Sequence, residues 1–99
     1  SVEKLSDYDQ KTQDEYIKAK KKYFTEGLKE LKDGTLTIYK DADGDVSIPS
    51  DFADTGDKEV IEFKDLNPDQ LQNLISQIGR RATLKTKEEI DLPNRKKKQ

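Results

Sequence analysis

Residues 9–32 decide most of what this chain can become. Their apolar side chains stand at Tyr16, Ile17, Tyr23, Phe24, Leu28 and Leu31. Spacings of three, four and seven draw one stripe along a helix, and such a stripe has to be covered by another element. Gly27 lies inside the stripe. Glycine there costs the helix ~1 kcal/mol against alanine, or it admits another backbone at close range. Asp33-Gly34 ends the segment, with glycine at the position where a left-handed residue closes a helix. The helix is longer than a small sheet needs, which predicts self-association, with part of the stripe facing another subunit.

The remaining segments are shorter. Residues 35–40, TLTIYK, alternate apolar and polar faces and predict a strand. The run Asp41-Ala42-Asp43-Gly44-Asp45 is turn chemistry. Val46, Ser47 and Ile48 make a second short strand, which Pro49 stops or confines to an edge. Residues 58–64, KEVIEFK, read as a third strand with Ile61 and Phe63 on one face and Val60, Glu62 and Lys64 on the other. A second helix is signalled by Asn67 as N-cap, Pro68 at its first position and Gln70 closing a capping box. Leu66 can staple onto Leu71, and Leu71, Leu74, Ile75 and Ile78 form the buried stripe. Gly79 is expected to close this helix. Residues 80–86 are then open to a fourth strand around Leu84, and residues 86–89 to a last helical turn that buries Ile90 and Leu92.

These segments predict an α+β fold of order α-β-β-β-α, with a further β optional. Its simplest form is a small antiparallel sheet of three or four strands carrying both helices on one face. Residues 1–93 are expected to be one domain and residues 94–99, NRKKKQ, a disordered basic tail. A chain of 99 residues supports one core. No run approaches ~20 apolar residues and no signal peptide is visible. The chain therefore reads as soluble, and as cytoplasmic rather than secreted.

The chain contains no Cys and no His. That removes disulfides, thiolate nucleophiles, the near-neutral proton shuttle and the Cys and His ligands of zinc. Ser-His-Asp hydrolases, Cys proteases and zinc hydrolases are excluded with them. Oxygen-ligated Mg²⁺ or Ca²⁺ chemistry is still allowed. Charge is unevenly spread. Residues 34–70 carry three basic and ten acidic side chains, and residues 71–99 carry eight basic and three acidic. The acidic middle concentrates Asp41, Asp43, Asp45, Asp51, Asp54 and Asp57 on expected turns, where binding residues gather. It would steer toward a basic or nucleic-acid-binding partner, and it can mimic nucleic-acid phosphate.

Two motifs bear on chemistry. Asp41, Asp43 and Asp45 resemble the first, third and fifth positions of an EF-hand calcium loop, with Ile48 at its buried aliphatic position. Val46 stands where that loop has glycine, and Phe52 where it has a bidentate glutamate. An acidic hairpin turn accounts for the run with fewer assumptions. The second motif is Pro49-Ser50-Asp51-Phe52 followed by Glu62-Phe63-Lys64. It resembles the PD-(D/E)xK nuclease signature, with an extra Ser50 before the Asp. The resemblance implies that Asp51 and Glu62 hold Mg²⁺ and that Lys64 helps activate water against a DNA phosphodiester. A helical acid, Glu26 or Glu30, and Gln70 are available to complete such a site.

Cations cluster at Lys18, Lys20, Lys21 and Lys22, at Arg80 and Arg81, and at Arg95, Lys96, Lys97 and Lys98. They can neutralise phosphates or an anionic surface, weakly in the case of the tail. Tyr23 and Phe24 lie in the helical stripe, so they are expected to pack in the core and not to stack on bases. The sequence therefore favours a small non-enzymatic interaction protein (adaptor, inhibitor or assembly component) with an acidic hairpin surface and no cofactor. A Mg²⁺-dependent nuclease at Asp51, Glu62 and Lys64 is the alternative.

Overall fold

The Asp9 carboxylate accepts a hydrogen bond from the Thr12 amide at 2.9 Å, and Gly34 closes the same helix in the left-handed region at φ 84°. Between these caps runs α1, Gln10–Asp33. The computed structural model describes residues 3–50 and 56–99. After α1 come β1 (Ile38–Lys40), β2 (Val46–Ser47), β3 (Glu59–Ile61) and α2 (Pro68–Glu89), with short 3₁₀ turns at Leu5–Asp7, Phe63–Asp65 and Leu92–Asn94. The order α-β-β-β-α is the expected one. The strands form one antiparallel sheet of order β2-β1-β3.

The sheet is shorter than the sequence suggests. β1 begins at Ile38, although Leu36 before it is buried. β3 ends at Ile61, and Phe63–Asp65 turn into a 3₁₀ segment. Leu36, Ile38, Val46 and Ile48 join Leu31, Leu74 and Ile78 in the main core, so both helices cover the same face. Gly27 is buried, and a Cβ built on it would lie 2.6 Å from Cγ2 of Ile78. The close approach that Gly27 permits is therefore to a side chain of α2.

The largest departure concerns α2. Gly79 does not close it, and residues 80–86 are helix and not a fourth strand. Among the described residues only Gly34 and Gly44 have positive φ, so Gly79 keeps the helical conformation. Ile78, Ala82, Thr86 and Ile90 are all buried, which continues the stripe at a spacing of four. Leu84, the expected centre of the strand, is 62% exposed. Glycine weakens a helix without ending it, and the packing of Ala82 and Thr86 outweighs that cost. Residues 86–89 thus belong to α2 itself. The capping box at its start forms as expected, with Asn67 accepting from the Gln70 amide at 2.8 Å and Gln70 accepting from the Asn67 amide at 2.9 Å.

The added length of α2 answers the surplus length of α1. The two helices run antiparallel, and their far ends build a second cluster of Tyr16, Ala19 and Ile90, edged by Leu5, Tyr23 and Leu92. Ile17 does not join the stripe and is 57% exposed. The molecule is accordingly long, 52 × 25 × 20 Å, with the sheet at one end and the Tyr8–Lys97 bridge at the other.

Residues 94–99, expected from the sequence to be a disordered basic tail, lie against the start of the chain. Lys97 bridges antiparallel to Tyr8, the Asp9 amide donates to the Lys96 carbonyl at 3.0 Å, and the Lys98 amide donates to the Asp7 carbonyl at 2.8 Å. Arg95 pairs with Glu15 at 2.8 Å, and Lys97 pairs with Glu3. Acids near the start of the chain thus face the basic run. Among the described residues no helix is long and apolar enough to cross a membrane.

Candidate functional site

The acidic hairpin tip is a built turn. The Asp41 amide donates to the Asp45 carbonyl at 3.0 Å, and Gly44 turns the chain at φ 88°. One oxygen of Asp41 accepts from the amides of both Asp43 and Asp45, each at 2.9 Å. The Asp41 carboxylate is thereby committed to the backbone, as short acidic side chains in turns often are. Asp43 and Asp45 are exposed, and their carboxylates make no hydrogen bond or ion pair among the described residues.

Two glutamines of α2 fix this tip. The Gln70 side-chain amide donates to the Gly44 carbonyl at 2.9 Å. Gln77 donates to the Val46 carbonyl at 2.8 Å and accepts from the Ile48 amide at 3.2 Å. Its side-chain amide so takes the place of a neighbouring strand along the outer edge of β2. A shallow depression between tip and helix brings Asp45 beside Asn67 and Asp69. On the other side of the tip a second depression gathers Asp41, Asp57, Lys58 and Glu59. Glu59 pairs across the sheet with Lys40 at 3.2 Å.

Of the six acids expected to form the binding surface, Asp41, Asp43, Asp45 and Asp57 meet at this end, and Asp51 and Asp54 lie outside the described residues. Sequence reasoning misses Asp69 and the roles of Gln70 and Gln77 at the tip. Asp69 follows Pro68 in the first turn of α2, and that capping signal could have placed it. Nothing in the sequence points Gln77 at β2, because its partners are backbone groups that only the tertiary fold brings near.

The metal-site readings fare differently. The calcium-loop resemblance would need Asp41 as a ligand, but one of its oxygens is already held by two amides. Among the described residues no three acids converge as a metal cradle. Glu62 and Lys64 are expected from the sequence to share a strand face. Instead Glu62 precedes the 3₁₀ turn and Lys64 lies within it, so their side chains leave different backbone geometries. The Lys64 ammonium is exposed and lies 4.0 Å from Asp65. Asp51, the third residue of that reading, is outside the described residues. Gln70 is engaged with Asn67 and Gly44.

At the opposite end, Tyr23 packs in the second cluster, as its place in the stripe implies. Its hydroxyl donates to Glu89 at 2.6 Å, which raises the phenol's pKa. The ammonium groups of Lys22 and Lys85 lie 5.2 and 5.7 Å from its ring centre. The crossing of Gly27 and Ile78 divides the charge of the whole chain. Residues 27–78 carry five basic and twelve acidic side chains, net −7, and the rest carry fourteen basic and nine acidic, net +5. Of these, the described residues 27–50 and 56–78 carry five basic and ten acidic side chains on the sheet side of that crossing. Comparison with protein-family models, curated proteins and solved structures gave no match, so the functional reading rests on this geometry alone.

Proposed function

We propose that the chain is a non-enzymatic interaction module whose acidic sheet end takes a basic protein as partner, a nucleic-acid-binding protein being the class of best charge match. The observation that carries this reading is the state of Asp43 and Asp45. Both are exposed on a turn held by Asp41, Gln70 and Gln77, and neither carboxylate is neutralised among the described residues. A turn whose backbone is already held loses little main-chain freedom on binding, which favours it as a contact. The net charge of that end, spread over Asp57 and Asp69 as well, speeds encounter with a cation-rich surface.

The experiment is affinity capture from the native source, followed by calorimetry with the purified partner. A D43K/D45K variant is expected to keep the parent's circular dichroism and to lose the partner. Capture of the same partner by this variant with unchanged affinity would remove the assignment. Binding through this surface also weakens steeply as salt is raised.

A further inference from the structure

The two edges of the sheet are treated differently. The hydrogen bond from the Asp41 amide to the Asp45 carbonyl fixes which main-chain groups of the hairpin face each other. Alternation along β1 then turns the N–H and C=O of Tyr39 toward Ser47 on β2, and those of Ile38 and Lys40 toward Ile61 and Glu59 on β3. The same alternation points the groups of Val46 and Ile48 outward from β2, where Gln77 meets them. On β3 it is the N–H and C=O of Val60 that point outward. No described residue plays the part of Gln77 on that side. Val60 is 65% exposed.

The β3 edge is also complementary to itself. In an antiparallel pair centred on Val60, Val60 faces its own copy, and Lys58 faces the second copy's Glu62 at both ends. Lys58, Val60 and Glu62 share the sheet face turned away from the helices, so the two opposite-charge pairs flank a Val–Val contact on one surface. The Glu62 carboxylate has no ion pair among the described residues, and Lys58 makes a long 3.3 Å contact to Ser47. Like charges opposite one another would forbid the pairing; here each is matched.

We infer that two copies of this chain associate through β3, forming one antiparallel six-stranded sheet across a two-fold axis, with reciprocal Lys58–Glu62 pairs setting the register. Each Val60 main chain then gains the partner that Gln77 supplies to β2, and the open edge disappears. The contact uses none of Asp43, Asp45 or Asp69, so the acidic end stays available in the dimer.

Sedimentation equilibrium on the full chain over a dilution series tests this. The mass is expected to rise from 11.4 kDa toward twice that value. K58E and E62K each place like charges opposite one another twice, and should each raise the dimer Kd by roughly tenfold. Mixing the two single variants, or combining both changes in one chain, restores opposite charges and association. V60P removes an N–H that no bond among the described residues uses; it should keep the parent's circular dichroism and lose the dimer. A single-chain mass at every concentration overturns the inference. So does a dimer whose Kd is the same in K58E, or a mixture of K58E and E62K that fails to associate.

Discussion

Cγ2 of Ile78 stands 2.6 Å from the point that a Cβ on Gly27 would occupy, so a single absent methyl sets how closely α1 and α2 approach. Cγ2 is bonded directly to the branched Cβ, and a β-branched side chain in a helix has essentially one χ1 rotamer open to it. It cannot step aside without moving the helix. Gly27→Ala gains ~1 kcal/mol of helix propensity and meets an overpacking cost of ~1–3 kcal/mol. The expected net effect is a loss of about 1 kcal/mol, read as a lower urea midpoint at unchanged m. Ile78→Ala alone leaves a cavity, but in the double variant the two changes compensate, so the pair costs less than the sum of the singles. A Gly27→Ala protein more stable than its parent would contradict the packing.

Gln77 serves β2 as a strand would. Gln77→Ala leaves the Val46 carbonyl and the Ile48 amide without their partner. Ile48 is buried, so water reaches these groups poorly. The expected destabilisation is ~1–3 kcal/mol, with the Ile48 amide exchanging much faster with solvent while amides of α1 keep their protection. Unchanged exchange at Ile48 would show that the side chain does not seal this edge.

What the sequence discloses follows from the range of the forces involved. The Asn67–Gln70 box, the Gly34 cap and the Asp41 turn are made by residues within a few positions of one another, and each appears where local chemistry puts it. The stripe of α2 is legible through Leu74 and Ile78. Local chemistry then suggests a stop at Gly79, whereas the packing of Ala82, Thr86 and Ile90 carries the stripe on. A helix stopped at Gly79 leaves the stripe of α1 uncovered, which is why the sequence pointed to a second subunit there. The basic tail reads as disordered because its partners, Glu3, Glu15 and the backbone of Asp7 and Asp9, lie eighty residues or more away along the chain. At the candidate site the exposed aspartates are legible from composition; the glutamines that hold the turn in place are not.

The join between the termini should respond to acid. Hydrogen bonds from Lys97 and from the Tyr8 hydroxyl hold the Glu3 carboxyl below its ordinary value, and the Thr12 amide does the same for Asp9. A carboxylate whose folded pKa is depressed stabilises the fold above its unfolded pKa, and that contribution is lost as pH falls through the folded value. Below about pH 4 the Tyr8–Lys97 bridge is therefore expected to loosen before the sheet does. Amide exchange at Asp9 and Lys98, followed as pH is lowered, checks this. Glu3→Gln should remove part of the pH dependence, and simultaneous loss of all amides at one pH would contradict it.

Asp41 and Asp43 should separate under mutation, although they are two positions apart in one acidic run. Asp41→Ala deprives the Asp43 and Asp45 amides of their acceptor, with an expected cost of about 1 kcal/mol, comparable to the loss of a helix cap. Asp43→Ala removes a solvated carboxylate that holds no bond among the described residues, and should leave stability within ~0.5 kcal/mol of the parent. Urea denaturation of the two variants gives the comparison directly. Equal destabilisation would mean that Asp43 contributes to the turn and that its free carboxylate is misassigned. If instead only Asp41→Ala lowers the midpoint, Asp43 is structurally unneeded, and partner binding lost in Asp43→Ala can be attributed to the contact surface and not to a damaged hairpin.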